Sequence, residues 1–168
     1  MSNEEEMYVL KRNGNPEQVS FDKILNRVKN VGSEVNLSIN YTQLVIKIID
    51  QLYHNIQTAK IDELTAEQCA LNLKHPDYGV LASRLIISNH HKNTNPDFCD
   101  NMLLLYNNKD VNNNHFPIVS KDFIDIVTQN KEFLNKIICP NRDYLIDYFG
   151  FKTLERAYLM KINNKVIE

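Results

Sequence analysis

Tyr8-Val9-Leu10-Lys11-Arg12-Asn13-Gly14-Asn15-Pro16-Glu17-Gln18-Val19-Ser20-Phe21-Asp22-Lys23-Ile24 is the stretch that decides how this chain is read. Two short runs of strand-forming character, residues 7–12 and 18–20, flank a turn at Gly14 and lead directly into a helix pattern. Pro16 restricts the pair to the edge of a sheet, because proline cannot donate to a ladder. Lys11, Arg12 and Lys23 set three cations around the turn, with Glu17 between them. Converging cations beside a helix start suit a bound polyphosphate, since Lys and Arg neutralise charge and a helix N-terminus presents free amides. The same residues also suit an ordinary hairpin whose basic edge discourages pairing with other strands. Spacing alone leaves both readings open.

Outward from this hairpin the pattern is helical. Phe21, Ile24, Val28 and Val31 recur at helical spacing, with Ser20 available as N-cap and Asp22 favourable in the first turn. Leu44, Val45, Ile48, Ile49 and Leu52 mark a second helix after the polar break at Asn40-Tyr41-Thr42. A third is expected to open near Asp62, with Leu64, Ala70, Leu71 and Leu73 as its apolar members. Pro76 sits where a fourth should begin, and Tyr78, Leu81, Leu85 and Ile86 supply its buried face. None of these helices is stable alone, so the four are expected to pack together.

Further on, a helix is expected from Phe98 to Tyr106, and the Asn-rich stretch 107–114 reads as a loop. Ser120 and Asn130 are placed to cap two more helices, carrying Phe123, Ile126 and Val127, and Phe133, Leu134, Ile137 and Ile138. Thr153 is expected to begin a short helix. Leu159-Met160-Lys161-Ile162 then faces Val166-Ile167 across Asn163-Asn164, a two-residue hairpin turn cut short at Glu168. The expected fold is mainly α with a small β cap (α+β): a four-helix bundle behind an N-terminal hairpin, further helices, and a truncated C-terminal hairpin.

Composition narrows the function. A chain of 168 residues holds one domain, or a small domain with an appendage, and 43% hydrophobic with 24% charged residues is ordinary for a globular protein. A net charge of −2 gives no general attraction to nucleic acid, so phosphate binding must come from a local cluster. Arg84 interrupts the longest apolar run, residues 80–87, well below membrane-spanning length. Cys69, Cys99 and Cys139 are isolated, which argues against a zinc ribbon or disulfide framework and fits a reducing cytoplasm. They read as small buried hydrophobes. Tyr144, Tyr148 and Tyr158 likewise read as core, and His90-His91 as a partly exposed helix end with no carboxylate at ligand spacing.

V-x-K-R-x-G-x-x-x-x-V-x-F-D-K-I, over residues 9–24, resembles the opening of the ATP-cone, the nucleotide-sensing module at the N-terminus of many ribonucleotide reductase large subunits. Lys74-His75-Pro76-Asp77-Tyr78, Leu81-Ala82-Ser83-Arg84 and Ser88-Asn89-His90-His91-Lys92 follow in the order expected of eukaryotic-type and viral class I enzymes. Asp143 and the run from Tyr148-Phe149-Gly150-Phe151 to Leu159 resemble the segment after the cone. The resemblance implies an acidic disordered leader at 1–6, a cone at 7–95, and the start of the helical region of the large subunit at 96–168.

The resemblance further implies ATP or dATP as an allosteric ligand, accompanied by Mg2+. Lys11, Arg12 and Lys23 match phosphate-holding cations, and Glu17 a carboxylate at the adenine edge. Val19 and Phe21 match packing under the base, with Asp22 beside them. Thr58 and Asp62 match positions near the sugar and phosphates, and Lys92 a distal lysine closing over the phosphates. Taken alone, Thr58 and Asp62 are equally suited to capping a helix, and Lys92 to complementing a helix C-terminus. Asn13 stands where an acidic residue is usual, Asn15-Pro16 stiffens the turn, and the segment from Leu64 to Lys74 is one residue shorter than in relatives. The implied partners are the rest of the large subunit and, indirectly, a radical-generating small subunit. The cysteines that reduce the ribose would lie beyond this chain, so no catalysis is expected from these residues by themselves.

Three other readings remain. Bacterial repressors carry the same cone but place a zinc ribbon before it, and here only residues 1–6 precede the motif. A remnant that packs on a reductase partner without binding nucleotide is a second. A small nucleotide kinase or phosphatase is a third, which the absence of a Gly-rich hydrolytic phosphate loop disfavours.

Overall fold

The computed structural model describes residues 6–72 and 74–168. The expected acidic leader therefore lies almost wholly outside the described residues, as does Leu73 of the third helix. The chain divides into two compact units: one runs to Asn93 and includes Tyr144–Phe151, and the other comprises Thr94–Asp143 and Lys152–Glu168.

The first unit begins with strand β1 (Tyr8–Leu10), paired antiparallel with β2 (Pro16–Gln18) so that Val9 faces Glu17. β1 is shorter than the expected 7–12, while β2 has the expected three residues but starts two earlier, so that Pro16 lies in the strand, on the outer edge of the sheet as its missing N–H requires. The turn between them is closed by Lys11 N–H donating to Asn15 O and Gly14 N–H to Lys11 O, each at 2.9 Å. Gly14 has φ +83°, a value that a side chain would make costly. On the other edge of β1 lies β3 (Ile56–Gln57), parallel to it, a strand too short for any periodicity to reveal.

Four helices complete the unit: α1 (Phe21–Ser33), α2 (Tyr41–Ile49), α3 (Thr58–Ala70) and α4 (Pro76–Asn93). Ser20 Oγ accepts from Lys23 N–H and Asn40 Oδ1 from Gln43 N–H, so the first two begin where polar caps permit. The third opens four residues earlier than Asp62, and Leu71 is its exposed C-cap rather than an apolar member, because the helix has ended before its side chain can turn inward. Helix α3 lies along α4, while α1 packs on α2 and α4. Gly32 permits the close approach of α2: a Cβ there would meet the Tyr41 ring, Cε1 lying only 2.9 Å away. Val9, Ile48, Leu52, Ile56 and Ile61 form the core under the sheet, with Val19 and Ile24 packed against it.

Tyr144–Phe151 belongs to this unit through α4. Phe151 stands edge-on to His90 with centroids 5.1 Å apart, Tyr144 edge-on to His91 at 5.6 Å, and the Arg84 guanidinium lies 4.6 Å above the Tyr144 ring. The His pair therefore packs on aromatic rings. Of the three tyrosines expected in the core, Tyr144 and Tyr148 are half-buried and Tyr158 is exposed.

The second unit carries α5 (Phe98–Tyr106), α6 (Lys121–Gln129) and α7 (Lys131–Ile137) around Cys99, Met102, Leu105, Ile124 and Val127. Lys131 spans Asp97 and Asp100 at 2.9 Å each. Asn130 does not cap α7 by its side chain; its amide donates back to Ile126 O at 2.8 Å and closes α6 instead. Cys139 is exposed, not buried, because it follows the end of α7. Helix α8 (Tyr148–Ala157) begins five residues before Thr153. Strands β4 (Lys161–Ile162) and β5 (Lys165–Val166) pair across Asn163 and Asn164, whose φ values of 50° and 63° are those of a primed turn. With only four glycines in the chain, all five non-glycine residues at positive φ among the described residues are asparagine, the side chain best suited to that region. No described helix is long and apolar enough to cross a membrane.

Candidate functional site

Two adjoining cavities open between the hairpin and helices α1, α3 and α4. The first, ≈ 120 Å³, is largely apolar: Val9, Val19, Ile24, Val28 and Ile61 line it, with Glu17 and Lys23 at its edge. The second, ≈ 470 Å³, is lined by Lys11, Arg12, Asn13, Arg27, Thr58, Asp62 and Lys92. Arg27, Thr58 and Asp62 border both, forming the neck between a slot for a flat apolar body and a chamber for negative charge.

The chamber sets four cations against one carboxylate. Asp62 is 5% exposed on the second turn of α3. Arg12 Nη2 donates to its Oδ2 at 3.3 Å, and Arg27 Nη2 donates to the same oxygen at 3.1 Å. Neither Thr58 nor Asp62 caps the helix: Gln57 is the N-cap and makes no side-chain cap bond. Arg12 is further held by Nε donating to Asn93 Oδ1 at 2.8 Å and by a short bond from Nη2 to Asn89 Oδ1. Lys92 makes no ion pair among the described residues, and burial together with the Arg27 and Arg12 guanidiniums lowers its ammonium from the ordinary 10.5, Asp62 offsetting part of the effect. Such an ammonium is a cation short of counter-charge. A polyphosphate would supply it.

At the other end, Glu17 bridges Lys11 and Lys23, the latter at 2.8 Å, and these two bonds hold its carboxyl below the ordinary 4.5. Of the residues the sequence singles out, Lys11, Arg12, Thr58, Asp62 and Lys92 line the chamber, and Glu17, Val19, Lys23, Thr58 and Asp62 line the slot. Phe21 and Asp22 sit in the first turn of α1 and line neither. Arg27, Ser88, Asn89 and Asn93 belong to the same network without having been singled out. Arg27 had a legible signal, since it follows Lys23 by one helical turn on the same face. Ser88 and Asn89 stood inside the motif that ends at Lys92, and Asn93 had no signal.

The donor set does not suit a divalent ion held by the protein. Mg2+ is usually taken by one or two carboxylates plus phosphate oxygens. Here Asp62 is committed to two guanidiniums and Glu17 to two ammonium groups. No group of three or more His, Cys, Asp or Glu among the described residues could hold a metal.

Residues 7–93, the segment that builds the hairpin, the four helices and both cavities, match the ATP cone domain model. The chain belongs to the ATP-cone family. Over 96% of its length, past the end of the cone, the chain is similar to the N-terminal part of ribonucleoside-diphosphate reductase large subunits. It is 45% identical over 165 residues to that of Danio rerio, 96% of this chain and 21% of the relative. Against the large subunit of Plasmodium falciparum it is 42% identical over 163 residues, 96% and 20%. Against that of Variola virus it is 42% identical over 165 residues, 96% and 21%. The chain thus spans about a fifth of the length of the curated relatives it matches.

Proposed function

We propose that this chain is the nucleotide-sensing region of a ribonucleoside-diphosphate reductase large subunit, with ATP or dATP as its allosteric ligand. The observation that carries this is the chamber of Lys11, Arg12, Arg27 and Lys92 around a single carboxylate, joined by a neck to an apolar slot. The purine would enter the slot, where Glu17 can accept from an exocyclic amino group. The triphosphate would lie among the cations, with the sugar at Thr58 and Asp62. Any Mg2+ would arrive on the phosphates.

Sensing then works by differential affinity. A nucleotide shifts the assembly state of the full enzyme only by the difference in its binding to the two states, typically ~1–3 kcal/mol. The partner would be the remainder of the large subunit, and indirectly the small subunit, in the cytoplasm.

Calorimetric titration tests the reading. ATP and dATP should each bind, and Lys11→Ala should weaken both about tenfold, the loss of one charge-assisted bond. No binding would leave only the role of packing on a reductase partner, and binding unaffected by Lys11→Ala would place the nucleotide outside this chamber.

A further inference from the structure

Arg27 borders both cavities, yet most of its bonding is to protein. Its Nε donates to Asp62 Oδ1 at 3.3 Å and Oδ2 at 3.4 Å, its Nη2 to Oδ2 at 3.1 Å, and the same Nη2 to Ser88 Oγ at 3.0 Å. Arg12 reaches Asp62 through one bond only, at 3.3 Å. Its remaining bonds go to the neutral side chains of Asn89 and Asn93. Two guanidiniums therefore share one carboxylate, and they share it unequally.

The charge count gives this inequality a consequence. A carboxylate has lone pairs enough for both forks, but one negative charge neutralises only one of them. Asp62 is buried, so it must keep at least one counter-ion close by, because an uncompensated buried carboxylate is costly. Arg27 is anchored on α1, braced by Ser88 on α4, and grips both oxygens. Arg12 stands at the hairpin turn, with its guanidinium on the chamber wall beside Lys11 and Lys92.

Resting on the nucleotide reading above, we infer that Arg27 is a positioning residue: it is the standing counter-ion of Asp62, and by satisfying that carboxylate it frees Arg12 to turn from Asp62 to the phosphates. Without Arg27, Asp62 would retain Arg12 for itself, and the phosphates would lose the working charge of Arg12 although Arg12 itself had not been removed. Arg27 acts through Asp62, so its effect on anion binding depends on Asp62 being charged.

A double-mutant cycle on the full chain tests this, using calorimetry with ATP and, separately, inorganic tripolyphosphate, and recording thermal unfolding without ligand for every variant. Arg27→Gln should weaken both probes about tenfold in the wild-type background. In an Asp62→Asn background, where Arg12 is already released, the same change should cost less than about threefold. Equal losses in the two backgrounds would overturn the inference by making Arg27 a direct ligand contact. A lowered unfolding temperature with unchanged affinity would overturn it by making Arg27 a structural strut. Should Arg27→Gln fail to fold, Ser88→Ala, which removes only the brace, should weaken tripolyphosphate about twofold to threefold with Asp62 present and not in Asp62→Asn; equal effects there would count against the inference as well. Wild-type binding of tripolyphosphate without ATP would remove the nucleotide reading while leaving this one standing, and binding of neither would remove both.

Discussion

His90 stands edge-on to Phe151, ring centroids 5.1 Å apart at 66°, while the residue before it, Asn89, accepts a hydrogen bond from Arg12 in the cation chamber. One turn of α4 thus presents its two sides to different tasks. Ser88, Asn89 and Lys92 serve the site, while His90 and His91 hold the returning segment Tyr144–Phe151.

Phe151 is buried, and truncating it opens a cavity against α4. Phe151→Ala should lower the unfolding free energy by about 3–4 kcal/mol, the usual cost of removing a buried phenyl ring. Denaturant unfolding followed by circular dichroism measures it. A loss below about 1 kcal/mol would mean that the returning segment contributes little to the first unit.

Asn89 is a buried hub: besides accepting from Arg12 and from Asn93 Nδ2 at 3.3 Å, it donates to Ala59 O at 3.1 Å. Asn89→Ala leaves these groups without their partner, which should cost about 1–3 kcal/mol of stability. The same variant should bind ATP more weakly, because Arg12 loses the bond that aims it. Asn89→Asp keeps an acceptor and should restore part of the stability but not the affinity, since a second carboxylate competes for Arg12.

Acid should loosen the hairpin. Glu17 has a lowered pKa in the fold because Lys11 and Lys23 bond its carboxylate. A depressed pKa means stability that is present above the unfolded value near 4.5 and lost as pH falls through the folded one. Unfolding temperatures measured between pH 6 and about pH 3 should therefore fall less steeply for Glu17→Gln than for wild type. Parallel curves would show that the bridge contributes nothing to stability.

The three cysteines should differ sharply in reactivity. Burial pushes the Cys69 thiol up to about 12 and Cys99 is also buried, while Cys139 is exposed. At pH near 8 an aromatic disulfide reagent should label one thiol per chain quickly, and all three only after denaturation. Rapid labelling of two or three in the native protein would contradict the packing of α3 or α5.

Local chemistry was legible in the sequence wherever a short-range rule governs. Ser20 and Ser120 as caps, Pro16 at a sheet edge, Pro76 at the start of α4, and the Asn163-Asn164 turn all follow from residue type and neighbours within a turn or two. The start of α3 was missed because its N-cap, Gln57, makes no side-chain bond to the backbone. Helix α8 does carry a cap, Asp147 Oδ1 accepting from Gly150 N–H at 2.6 Å, which a helix expected to begin at Thr153 passes over. β3 was missed because two residues have no period.

The sequence by itself determined the family, the mainly α architecture and the hairpin cations, since these rest on local propensity and on motif residues adjacent in the chain. Only the tertiary structure decided that Arg27 meets Asp62 across 35 residues, that Asn89 meets Arg12 across 77, and that Lys92 faces both guanidiniums. The reason is geometric. Helix crossings choose which side chains share a buried charge, and no spacing along one helix encodes the face its neighbour presents.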